Sequence, residues 1–207
     1  MNVEFDLPRE ATRIWDLDVP IVTNKNITEV YITDSIDEPA VYNELCYLLK
    51  TASPAETFNI HINTPGGIID SAFMIIDALR TTKAKTVAHL SGTVASAGTI
   101  ISLSCDNLDV ARHTSFMIHN YSGGMVGKGH EMKARQEFVD ASLQEAFKDI
   151  YIGFLSDTEM QEVIDGKDMW MGKDEVVSRF KGTYHTKGED TETPKKRGRG
   201  RPKKLDS

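Results

Sequence analysis

Cysteine is nearly missing from this chain: Cys46 and Cys105 are the only two in 207 residues. Both sit in apolar stretches of helical spacing, which excludes a disulfide framework and points to packed thiols in a reducing compartment. No ligand spacing accompanies them, so neither metal nor other cofactor is expected. Long apolar runs are missing as well. No window approaches the ~20 apolar residues of a membrane span, and Met1–Asp18 is acidic without the apolar centre of a secretory leader. The expectation is a cytoplasmic protein with no membrane partner. Asn26-Ile27-Thr28 matches a glycosylation sequon, a pattern that arises often by chance and disagrees with that compartment.

Positive charge is scarce except at one end. Of 24 Lys and Arg, seven fall in Lys195–Lys204, and of 31 Asp and Glu only Asp206 follows them. Residues 1–194 therefore carry 17 basic and 30 acidic side chains, a net −13. An acidic body of this kind argues against nucleic-acid binding by the globular part. The 40% hydrophobic content is enough for one sizeable core without staples. Three regions result: an N-terminal arm over 1–27, one folded domain over 28–186, and a disordered basic tail over 187–207.

Within the domain, strand and helix patterns alternate. Strands are expected near Val19–Val22, at Glu29–Thr33, Phe58–Asn63, Thr86–Leu90, Leu108–Val110 and Ser115–Ile118. Helices are expected over Glu38–Lys50, Ile68–Leu79, Ala95–Cys105, His130–Leu155 and Thr158–Ile164. Such alternation with short connections predicts an α/β fold with a parallel sheet, whose functional loops gather at the carboxyl ends of the strands. The helix over His130–Leu155 is long enough to project or to pack on a partner.

The stretch Ser91–Ile100 organises the rest. A buried strand gives way, through a glycine-bearing turn, to a helix start built of small residues. Ser96 stands at that junction, with free N–H groups of the first helical turn beside it. A serine there is also the ordinary N-cap. A serine nucleophile needs a base, an orienting carboxylate and donors for the oxyanion. His119 ends a strand beside a polar loop and could supply the base. The other five histidines lie within a strand, before a turn, in a loop, at a helix start or in the tail approach.

Four motifs then occur in order: Ile62-Asn63-Thr64-Pro65-Gly66-Gly67, Ala95-Ser96-Ala97-Gly98, Met117-Ile118-His119 and Gly123-Gly124-Met125-Val126-Gly127. Together they resemble the ClpP serine peptidases, including phage-encoded members, over about Val30 to Phe180. The resemblance implies a ClpP/crotonase-like fold of repeated ββα units with a long projecting helix, assembling into a homo-oligomer of two stacked heptameric rings. It implies Ser96 as nucleophile, His119 as general base, the N–H groups of Gly67 and Ala97 as oxyanion hole, and Gly123, Gly124 and Met125 as binders of an extended peptide. The substrate would be an unfolded or small polypeptide. The acid departs from the pattern: the usual spacing back from Trp170-Met171 reaches Ile164, leaving Asp165 as first choice and Asp168 as second. Asn59 and His61 stand where the family carries docking aromatics, which puts a Clp-type ATPase partner in doubt. A relative in the wider crotonase superfamily that acts on acyl-CoA fits less well, because of the Ser-His pair.

The tail has its own signal. Arg199-Gly200-Arg201-Pro202, flanked by lysines, resembles the AT-hook that lies in the minor groove of AT-rich DNA. An inactive ClpP-like assembly subunit tethered to DNA through this tail is the alternative function.

Overall fold

The computed structural model describes residues 19–182. Residues 1–18 of the expected arm and the expected disordered tail, including Arg199, Gly200, Arg201 and Pro202, lie outside the described residues. The elements run β1 (Ile21–Asn24), β2 (Ile27–Ile32), a 3-10 turn (Pro39–Tyr42), α1 (Asn43–Thr51), β3 (Thr57–Thr64), α2 (Ile69–Thr81), β4 (Lys85–Ala95) and α3 (Ala97–Leu103). They continue with β5 (Asn107–Val110), β6 (Ser115–Ile118), α4 (Gly129–Tyr151), α5 (Asp157–Ile164), β7 (Met169–Met171) and α6 (Lys173–Arg179). This is a mixed α/β architecture.

The seven strands form one sheet in the order β1-β2-β3-β4-β6-β7, with β5 also on β4. Its centre is parallel as the alternation predicts, but β1 on β2 and β7 on β6 are antiparallel. The reason at the start is a two-residue link between β1 and β2, with Lys25 at φ 55. So short a link can only reverse the chain.

Alternation drives burial. Val30, Ile32, Phe58, Ile60, Ile62, Ala88, Leu90, Val94, Phe116 and Ile118 all point into the core from their strands. Removal of that apolar surface from water is the main stabilising term. All seven residues of α3 are buried. On the half-covered opposite face Tyr31, His61 and His89 are in cross-strand register and stack at 4.5 and 5.0 Å. Glu29 meets His61 at 2.8 Å, and Asp109 meets His89 at 3.0 Å.

Several boundaries differ from expectation, and three of them have a clear local cause. No turn interrupts Ser91–Thr93: β4 runs on to Ala95, because Gly92, at φ 60, bends the strand and the Asn63 side-chain oxygen accepts the Thr93 N–H at 3.1 Å. The long helix stops at Tyr151 rather than Leu155. Gly153, at φ 72, turns the chain so that Phe154 and Leu155 fold back into the core. The expected helix over Glu38–Lys50 opens instead as a 3-10 turn at Pro39 before α1. No helix among the described residues is long and apolar enough to cross a membrane.

The C-terminal helices are joined by charge. Ser156 and Glu159 form a capping box at the start of α5, and Arg179 from α6 donates to both Glu159 oxygens at 2.8 and 3.0 Å. The Arg179 bonds, aided by the Ser156 N–H, hold the Glu159 carboxyl at about 2, against an ordinary 4.5. A depressed carboxylate stabilises above its unfolded pKa and loses that contribution as pH falls toward the folded value. Glu159→Gln should therefore lower stability by about 1–2 kcal/mol at neutral pH. In urea unfolding across pH, the gap from wild type should close between about 4.5 and about 2; a gap that stays constant would contradict this coupling.

Candidate active site

Strand register brings the motif residues together. Thr64 pairs with Val94, and Ala95 pairs with Met117. One step beyond Ala95 comes Ser96; two beyond Met117 comes His119; two and three beyond Thr64 come Gly66 and Gly67. The Ser96 N–H donates to the Met117 carbonyl at 2.9 Å, adding one rung past the end of β4. Ser96, His119, Gly67 and Ala97 then line one cavity of about 470 Å³, with Ile68, Ile100, Tyr121 and Tyr151 among its walls.

Ser96 has φ 53 and ψ −124, a left-handed backbone that an L-residue enters at a cost of about 1–3 kcal/mol. It occupies the N-cap position of α3, but its side chain makes no capping bond. Among the described residues neither the Ser96 hydroxyl nor the His119 ring has a hydrogen-bond partner. Both are half-buried at the cavity wall. The positive φ thus takes the hydroxyl away from the helix it would otherwise cap.

The glycine turn fits against this serine by close approach. The Ile36 N–H donates to the Gly66 carbonyl at 2.9 Å, and the Ile68 N–H donates to the Ile36 carbonyl at 2.8 Å. Among the described residues nothing accepts from the intervening Gly67 N–H. A Cβ at Gly67 would stand 2.1 Å from the Ile36 carbonyl oxygen, and one at Gly66 would stand 2.6 Å from Ser96 Cβ.

Behind the serine lies a buried polar chain. The Ser96 carbonyl accepts the Thr99 N–H at 2.9 Å and the Thr99 hydroxyl at 2.6 Å. Thr99 Oγ1 also lies 2.6 Å from the Tyr151 hydroxyl. Complete burial pushes the Tyr151 phenol far above its ordinary range, so it stays neutral. Beside the cavity, Tyr121 donates to Asp140 and accepts from Gln136, which ties the loop after His119 to α4. The Asp140 bond raises the Tyr121 phenol.

The acidic candidates lie farther out. Asp165 caps the C-terminus of α5, is exposed, and accepts from Gln161 at 2.9 Å. Asp168 is exposed in the link to β7. Neither carboxylate bonds His119, yet the Asn120 amide donates to the Ile164 carbonyl at 2.8 Å. Asp165 is thus one residue from a group anchored beside His119. Gly123, Gly124 and Met125 form no strand and line a neighbouring cavity of about 370 Å³, which shares Ile69 and Tyr121 with the first. Among the described residues no group of three or more His, Cys, Asp or Glu is placed to hold a metal ion.

Thr99, Tyr151 and Asn120 escaped sequence reasoning. The available signals were a threonine in a buried, mostly apolar helix and a tyrosine four residues after Phe147 on the same helical face.

Comparison with known proteins adds a family. The model described as "Clp protease" matches residues 22–178. The chain is 29% identical over 161 residues to the ATP-dependent Clp protease proteolytic subunit 2 of Pseudomonas aeruginosa, covering 73% of this chain and 77% of that protein. It is 26% identical over 163 residues to proteolytic subunit 1 of Protochlamydia amoebophila, covering 72% of this chain and 75% of that protein.

Gly66→Ala tests the fit of turn to serine. The methyl group would meet Ser96 Cβ at 2.6 Å and force alanine to φ +102, so a loss of about 1–3 kcal/mol in urea unfolding is expected. An unchanged midpoint would mean that the turn does not bear on Ser96.

Proposed function

The chain belongs to the Clp protease family, and from that membership we propose that it is a serine endopeptidase acting on unfolded or small polypeptides inside a homo-oligomeric chamber. One observation carries the reading: a left-handed, uncapped serine shares a cavity with a histidine, Gly67 and Ala97. In this reading Ser96 Oγ attacks the substrate carbonyl carbon while His119 takes its proton. The N–H groups of Gly67 and Ala97 hold the oxyanion. Collapse breaks the C–N bond as His119 returns the proton to the leaving amine, and water then repeats the sequence on the acyl-enzyme.

In this reading Asp165 leaves Gln161 and orients the imidazole. Gly123, Gly124 and Met125 receive the extended substrate, and their open surroundings suit low sequence selectivity. The assembly is two stacked heptameric rings, in which α4 supplies contacts; Phe138, 73% exposed on that helix, favours a partner there. The compartment is the cytoplasm. A Clp-type ATPase is disfavoured by the paired, polar His61 and Asn59 on the outer strand face.

Fluorophosphonate labelling of the assembled protein tests the nucleophile. Labelling that disappears in Ser96→Ala and falls at least ~100-fold in His119→Ala is expected; labelling unaffected by Ser96→Ala would end this reading. Asp165→Asn should slow peptide cleavage by about tenfold or more, and Asp168→Asn by less than about twofold. Reversed effects in a fluorogenic peptide assay would move the acid to Asp168.

The bond from Asp165 to Gln161 rather than to His119 favours a second reading, an inactive subunit tethered to DNA through Arg199, Gly200, Arg201 and Pro202. Absence of Ser96-dependent labelling together with a gel shift on AT-rich DNA that needs residues 195–204 would select it.

A further inference from the structure

Building on the assignment of Ser96 as nucleophile and Ala97 as oxyanion donor, we infer that Thr99 and Tyr151 are positioning residues that lock the Ser96–Ala97 peptide with its N–H toward the cavity. A peptide unit is planar and trans, so its carbonyl and its N–H point in opposite directions. Whatever grips the Ser96 carbonyl therefore aims the Ala97 N–H. That grip comes from the buried side: the Thr99 N–H at 2.9 Å and the Thr99 hydroxyl at 2.6 Å, with Thr99 at 0% exposure. Ala97 lines the cavity, whereas Thr99 does not.

The direction of the chain follows from proton counting. Thr99 Oγ1 has one hydrogen, and the Ser96 carbonyl can only accept, so that hydrogen goes to Ser96. The second contact, 2.6 Å to the Tyr151 hydroxyl, is then a donation from the phenol. Tyr151 to Thr99 to Ser96 is an ordered relay with every hydrogen used.

The other hydroxyls of the helix have no partner outside it among the described residues. Ser102 bonds the Gly98 and Thr99 carbonyls at 2.7 and 3.0 Å, and Ser104 bonds the Ile100 carbonyl at 2.8 Å. Both stay within their own helix, the usual outlet for a hydroxyl there. Thr99 makes the same bond three residues back, to the Ser96 carbonyl at the N-cap, but alone of the three it also bonds outside the helix, to Tyr151 of α4. Valine and phenylalanine would fill the same space without a buried polar pair to satisfy, so packing alone does not call for this one. Because Tyr151 is the last residue of α4, the relay also makes the serine turn depend on where that helix lies.

The test uses the full chain with Thr99→Val, Thr99→Ser and Tyr151→Phe. On a fluorogenic peptide, Thr99→Val should lower kcat about tenfold or more with KM within about twofold, since an oxyanion donor acts in the transition state. Thr99→Ser should recover to within about threefold of wild type, and Tyr151→Phe should lie between. Equal kcat in Thr99→Val and wild type, or a Thr99→Ser no better than Thr99→Val, would overturn the assignment. A crystal structure of Thr99→Val gives an activity-free readout: the Ser96–Ala97 peptide should be rotated and Ser96 should have left φ near 53. A peptide found unturned would overturn it as well. If Thr99→Val does not fold, Tyr151→Phe decides by the same two measurements. Because the crystal structure needs no turnover, it still judges the relay if Ser96→Ala keeps full activity and the nucleophile assignment itself falls.

Discussion

The hydrogen bond from the Ser96 N–H to the Met117 carbonyl is the contact on which the site depends. It extends the β4–β6 ladder one rung past the last regular pair and brings the serine turn and the strand leading to His119 into one frame. β4 makes this possible by serving two neighbours in succession. Its first half pairs with β5 through Val87–Leu90, and its second half pairs with β6 through Thr93–Ala95. The sheet forks, and the site lies at the end of the inner branch.

Around that contact the structure concentrates local cost. A left-handed serine, a glycine turn pressed against it and a buried hydroxyl pair are each unfavourable alone. They persist because α3 is wholly buried and its neighbours leave no cheaper arrangement. The Thr99–Tyr151 pair is the relay inferred above to hold the serine turn.

Much of the fold was legible because its signals are local. Alternating Phe58–Asn63 and the Pro65-Gly66-Gly67 stop reported β3 and its end, and the 3.6-residue spacing from Leu143 to Ile150 reported the buried face of α4. What stayed hidden was set by contacts distant in sequence. Gly92 read as a turn because nothing nearby shows that Asn63, thirty residues earlier, accepts the next N–H. β7 is only three residues long and forms through pairing with β6. At the site, motif order located Ser96, His119 and the glycine turn around one cavity, since strand ends converge in a parallel sheet. The acid was harder to read: Asp165 and Asp168 both sit in a short link whose side-chain directions no local pattern fixes.

The forked strand divides the chain into lengths that can drift and lengths that cannot. Within the paired stretches that end at Thr64 and Ala95, one added residue would reverse which side of the sheet each following strand residue faces. The loop from Tyr121 to Lys128 has no such ladder on either side. Divergence among relatives should therefore accumulate as insertions in that loop, while the spacing from β4 into α3 stays constant, and this offers a ruler for aligning distant members whose sequences no longer match.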